Sequence, residues 1–189
     1  MDVGARMALN RTIVLLLVAL GGCVDAQTSV PRTSVAGSDG VSHALFGARA
    51  TVLIFFSDRC PCVSAHDARI IALANTYSSR GVTFLAIDSE VGGGADVDAA
   101  RARSRGYPFP ILVDHDARIA RALGAEYATY SVVVDSAGAV AYRGAFDSDH
   151  THLSRDARAY VREALDDVLA GRSVRHAQTE ALGCALRTW

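Results

Sequence analysis

The sequence predicts a single α/β domain built on a mixed, partly parallel sheet. Three observations carry this reading. Residues 51–56 and Val82–Asp88 are continuous apolar runs rich in β-branched and aromatic side chains, the pattern of strands buried on both faces of a sheet. Between them, Ile70, Leu73, Ala74 and Tyr77 recur at helical spacing before Gly81, giving a strand, helix, strand unit. Near the end, residues 130–135 and 139–143 flank Ser136-Ala137-Gly138, a hairpin signature. With 189 residues, half of them apolar, the chain has material for one sizeable core rather than two.

Arg6 and Arg11 introduce an apolar run over 12–20, too short to span a bilayer as a mature helix and of the right length for a signal core. Leu20-Gly21-Gly22-Cys23 resembles a bacterial lipobox, which implies a lipoprotein signal peptide over 1–22 and lipidation of Cys23; cleavage after Ala26 is the competing site. The expected location is the bacterial cell envelope, with membrane contact only through the lipid anchor. Residues 23–41, rich in Ser, Thr, Pro, Gly and Asp, have the composition of a flexible tether. The folded domain is expected over 42–171, followed by a tail, 172–189, that carries Cys184.

Within the domain, the first helix is expected from Pro61 to about Ser79. Gly92-Gly93-Gly94 lacks the spacing of a phosphate-binding loop and reads as a surface loop. A helix over 96–105, a short strand over 109–114 and a helix opening at Asp116 as N-cap continue the alternation. Ala157, Val161, Ala164, Leu165 and Val168 line one face of a last helix ending at Gly171. The order β-α-β-α-β-α-β-β-α, parallel units followed by an antiparallel hairpin and a closing helix, is the thioredoxin plan with an insertion.

The formal net charge of -1 and the interspersed charges give no electrostatic footprint for nucleic acid. All 19 basic residues are Arg, so no side-chain amine can serve as a Schiff base or nucleophile. The chemistry therefore falls to the cysteines. Cys60, Cys62 and Cys184 form an odd set, which in an exported chain points to a reactive thiol. Cys60 follows the first buried strand, and Pro61 suits the first position of a helix. Backbone N–H groups and the dipole at that helix end favour a thiolate, with Arg59 adding to the effect. Residues 60 and 62 point to nearly opposite sides of a helix, so a disulfide between them would be strained and oxidising. Cys184, on a tail folding back, is the other partner for Cys60, and Cys62 packing as a small core residue is the bland alternative. His66 lies one turn beyond Cys62 and could share a metal with it, although an exposed surface histidine is the commoner case. Asp114-His115-Asp116 and residues 147–152 read as polar loops.

Residues 55–61, Phe-Phe-Ser-Asp-Arg-Cys-Pro, on a strand-to-helix turn resemble the active-site turn of the thioredoxin-like superfamily, and are most similar to redoxins of the AhpC/TSA (alkyl hydroperoxide reductase and thiol-specific antioxidant) group. Tyr107-Pro108-Phe109-Pro110, Gly124-Ala125, Tyr142-Arg143-Gly144, Leu169-Ala170-Gly171 and Gly183-Cys184 extend the likeness. The resemblance implies that Cys60 is the nucleophile and that Cys184 matches a Gly-Cys tail found in similar redoxins. The chain departs from thioredoxins in having Cys-x-Cys and in placing Thr129 where they carry a cis-proline, and from typical peroxiredoxins in lacking Pro-x-x-x-Thr-x-x-Cys. The expected activity is thiol-disulfide exchange or thiol-dependent antioxidant chemistry through Cys60, Cys62 and Cys184. Its partners would be a disulfide or peroxide substrate and a thiol electron donor, with no cofactor and no metal. Two rivals stand beside it: a copper-binding or metal-delivery protein resembling Sco-type chaperones, using Cys60, Cys62 and a histidine, and a redox-inactive interaction domain.

Overall fold

Every residue of β3 (Ala50–Phe56) is buried, as its unbroken apolar run requires. It lies in the middle of a five-stranded sheet of order β5-β4-β3-β6-β7, formed with β4 (Val82–Asp88), β5 (Ile111–Val113), β6 (Ser131–Asp135) and β7 (Val140–Gly144). The β3–β4 and β4–β5 pairs are parallel, and β3–β6 and β6–β7 antiparallel, so the sheet is mixed as expected. This is a computed structural model, and it describes Met1 and residues 29–188. The expected leader over 1–22 and its lipidation site Cys23 lie outside the described residues. Among those described, no helix is long and apolar enough to cross a membrane.

Helix α1 (Pro61–Ser78) joins β3 to β4, and α2 (Ala95–Arg105) joins β4 to β5. Gly106, in the left-handed conformation at φ 68°, ends α2, a conformation that costs glycine least. The short α3 (Arg118–Leu123) precedes β6, and α4 (Tyr160–Leu169) packs on β3, β6 and β7.

Three expectations need correction. Residues expected in the tether are folded: β1 (Ser34–Ala36) pairs with β2 (Ser42–Ala44) as an antiparallel hairpin, Gly37 bridges Leu112 of β5, and Val30 and Leu45 are buried. The composition misled because a short hairpin that exposes alternate residues needs few apolar side chains and a polar turn. Asp116 does not cap α3. It sits at φ 58° within a 3₁₀ turn, His115–Ala117, and the buried Asp114 carboxylate instead accepts the N–H groups of Ile119 and Ala120, at 2.9 and 3.0 Å. The tail, finally, is part of the fold. Residues 177–179 run along β7, with Arg143 N–H donating to Ala177 O and Thr179 N–H to Arg143 O, and so cover a sheet edge that would otherwise expose unpaired backbone.

At the end of β4, Asp88 is paired with Arg101 at 3.0 Å, and Arg101 also holds the fully buried Asp98 at 2.9 Å. Asp98 Oδ2 faces no donor. Burial and the neighbouring Asp88 charge raise the Asp98 pKa to about 7, so Asp98 keeps a proton that it can give to Asp88. A carboxyl whose folded pKa is raised above its unfolded value stabilises the fold at low pH and loses that contribution as pH rises through the folded value. Stability should therefore fall between about pH 4 and pH 7 from this source. Asp98→Asn, which cannot ionise, should remove that slope in urea titrations and gain on the order of 2 kcal/mol at pH 8 relative to the parent; an unchanged slope would contradict the protonated pair.

Candidate active site

Cys60 is the N-cap of α1, with extended backbone at φ -82° and ψ 117°, and Pro61 follows as the first helical residue. The chain bends here because Pro61 needs no N–H partner at the first position and has a φ already suited to a helix. The Cys60 side chain is 1 % exposed. Burial raises its pKa, but a hydrogen bond from the Cys184 thiol and backbone N–H groups of Val63, Cys184 and Cys62 overcome that penalty, and the net shift is downward from the ordinary thiol value of 9.0. Arg59 is exposed and is not among these causes, so the depression comes from hydrogen bonds rather than from the neighbouring guanidinium.

Cys184 arrives from the tail. Ala128 N–H donates to Cys184 O and Leu186 N–H to Glu126 O, each at 2.9 Å, and Tyr127 and Ala185 form an antiparallel bridge. The tail thus adds a short strand to residues 126–128. Gly183 makes the close approach possible, since a Cβ there would collide with the Ala128 carbonyl oxygen. At the adjacent position Thr129 has φ 74° and a trans peptide bond, and its N–H donates to Phe55 O at 2.8 Å; this is the residue matched to the cis-proline of thioredoxins.

The sulfur atoms of Cys60, Cys62 and Cys184 all lie within 4.8 Å of one another. All three thiols are free. The pKa of Cys62 is raised by burial and then by the Cys60 charge, and that of Cys184 is pushed up to about 12 by burial, the hydrogen bond to Cys60 and the Cys60 charge. Of the three thiols Cys60 therefore ionises most readily, and its charge opposes ionisation of the other two.

His66 is not the exposed histidine expected and does not face sulfur. It is 2 % exposed, its Nδ1 lies 2.7 Å from Cys62 O, and its Nε2 lies 3.1 Å from Asp147 Oδ1. Burial disfavours the imidazolium, but the Asp147 bond outweighs this and raises the His66 pKa. Arg69 binds Asp147 at 2.6 Å and Asp149 at 2.9 Å. These pairs fasten the 145–150 loop to α1 and bring His150 Nε2 to 3.2 Å from Cys62 Sγ. His150 and Asp147 were missed as site residues because their loop is polar. The one sign of the burial of His66 in the sequence is that it shares the helical spacing of Ile70, Leu73 and Tyr77. His115 and Asp116 lie apart on the 3₁₀ turn.

A cysteine at the N-terminus of a helix that follows a central strand is the arrangement of thiol redox proteins. The redoxin family profile matches residues 26–161. The chain belongs to the redoxin family. As a redoxin it carries out thiol-dependent redox chemistry. Among solved structures, an uncharacterized conserved protein from Geobacillus kaustophilus is 29% identical with a TM-score of 0.77, the match covering 85% of this chain and 90% of that one. A hypothetical protein from Sinorhizobium meliloti 1021 is 25% identical with a TM-score of 0.76, over 85% and 93% of the two chains. The peroxidoxin BcpB of Mycobacterium tuberculosis shares the fold at 17% identity and a TM-score of 0.55, over 75% and 92%. No curated protein matches the chain.

The Cys184 thiol is the strongest of the interactions that lower the Cys60 pKa. Cys184→Ala should move the pH midpoint of Cys60 thiolate formation upward, read from thiolate ultraviolet absorbance in a Cys62→Ser background. A midpoint unmoved by the substitution would contradict the hydrogen bond.

Proposed function

We propose that this redoxin catalyses thiol-disulfide exchange, with Cys60 as nucleophile and Cys184 as the resolving thiol. The observation that carries the reading is the Cys184 sulfur brought within 4.8 Å of the Cys60 sulfur at a helix N-terminus. The Cys60 thiolate attacks one sulfur of a substrate disulfide. A mixed disulfide forms, and the other substrate sulfur leaves as a thiolate and takes up a proton. Cys184, having lost its proton, then attacks the Cys60 sulfur, releasing the substrate as a dithiol and leaving a Cys60–Cys184 disulfide. A thiol donor reduces that disulfide and closes the cycle, and the reverse direction uses the same steps.

The electrostatics order these events. While Cys60 is a thiolate, burial, the hydrogen bond it accepts and its charge all keep Cys184 protonated. Once Cys60 is in a mixed disulfide, the last two causes vanish and the resolving thiol becomes easier to ionise. Cys62 is less suited to resolve, because it lies in the first turn of α1 only two residues beyond the Cys60 N-cap, and a disulfide closing so short a segment is strained. The Pro-x-x-x-Thr-x-x-Cys pattern of typical peroxiredoxins is absent before Cys60, which favours disulfide exchange over peroxide reduction.

Cys60→Ser should abolish exchange with a small disulfide substrate, a loss of at least about 10³-fold. Cys184→Ser should accumulate the mixed disulfide at Cys60, seen by intact mass, whereas Cys62→Ser should turn over. Full activity in Cys60→Ser, or accumulation in Cys62→Ser in place of Cys184→Ser, would contradict the mechanism.

A further inference from the structure

Exchange through Cys60 and Cys184 leaves Cys62 unexplained. Its side chain is 2 % exposed, yet its sulfur converges with the other two, all three within 4.8 Å of one another. A buried cysteine serving only as core packing has no reason to aim at a reactive pair. We propose that Cys60, Cys62 and Cys184 together form a three-thiolate site for a soft monovalent cation, Cu(I). This inference does not rest on the exchange mechanism.

The geometry separates ligation from disulfide formation. Three sulfurs each about 2.3 Å from a common centre stand roughly 3.8–4.0 Å apart in tetrahedral or trigonal arrangements, so the observed cluster needs only a small contraction to enclose an ion. A Cys60–Cys62 disulfide would require the two sulfurs to approach to about 2.05 Å across the first turn of a helix. Ligation is thus open to a pair of positions that bonding strains. The tail supplies the third sulfur, held there by the backbone hydrogen bonds from Ala128 N–H to Cys184 O and from Leu186 N–H to Glu126 O.

The donor set selects the ion. All three donors are sulfur, which suits Cu(I) and excludes hard cations that need oxygen ligands. Structural zinc takes four ligands. The nearest imidazole, His150, places its Nε2 against Cys62 Sγ and stands behind that sulfur as a supporting hydrogen bond, while His66 is held by Asp147. Three thiolates with one Cu(I) leave a net charge of -2, and the N–H groups that already bond Cys60 oppose it. This arrangement replaces the histidine of the expected copper reading with Cys184.

The test is anaerobic titration of the reduced full-length chain with Cu(I), using bicinchoninate as competitor, followed by desalting and X-ray absorption. One Cu(I) per chain with three sulfur neighbours is expected. Each of Cys60→Ser, Cys62→Ser and Cys184→Ser, checked for native circular dichroism, should lose the retained copper. A second measurement avoids substitution: wild-type protein carrying a Cys60–Cys184 disulfide should retain none and recover on reduction. No retained copper, copper retained equally by Cys184→Ser, nitrogen in the first shell or tighter binding of zinc would each overturn the site. Exchange assayed on copper-free protein keeps the two readings apart, since exchange without copper retention removes only this one.

Discussion

Phe55 exchanges two backbone hydrogen bonds with the segment before β6: its N–H donates to Tyr130 O, and its carbonyl accepts from Thr129 N–H. That local pairing joins the two halves of the site. On one side, β3 continues from Phe55 through the turn to Cys60. On the other, residues 126–128 receive the tail strand that carries Cys184. Because β3 is buried along its whole length, neither half can shift without disturbing the centre of the core. The sulfur cluster is therefore held by the most constrained element in the molecule, although one of its members comes from 122 residues further along the chain than Cys62.

The electrostatic consequence is asymmetry among three chemically identical side chains. A thiolate buried without partners would be costly. Here the backbone N–H groups at the start of α1 and the Cys184 thiol stabilise one charge, and that charge suppresses ionisation of the other two. The same three sulfurs can respond in two ways. Loss of electrons joins two of them covalently, and loss of protons to a soft cation binds all three. The first outcome excludes the second, so the redox state of Cys60 and Cys184 governs whether a three-sulfur site exists.

The sheet and the position of Cys60 were legible because their signals are local. An unbroken apolar run, a proline at the first helical position and a hairpin turn each specify structure within a few residues, and the strands and helices they imply are all present. Most of what escaped was set by distant partners. The segment over 29–41 looks like linker until its pairing with residues 42–44 and with Leu112 is seen. Asp114 rather than Asp116 meets the N–H groups of α3, a choice made by the left-handed turn between them. His66 occupies the apolar stripe of α1 and is tolerated there only because Asp147, 81 residues away, accepts its second nitrogen. Polar loop composition gives no sign of such a commitment.

The tail holds Cys184 beside Cys60. Peptide mass spectrometry of the protein oxidised with a modest excess of oxidised glutathione and rapidly alkylated tests it most directly. A Cys60–Cys184 disulfide should be the main product, with Cys62 recovered as the alkylated thiol. A dominant Cys60–Cys62 bond, or three alkylated thiols and no disulfide, would contradict it.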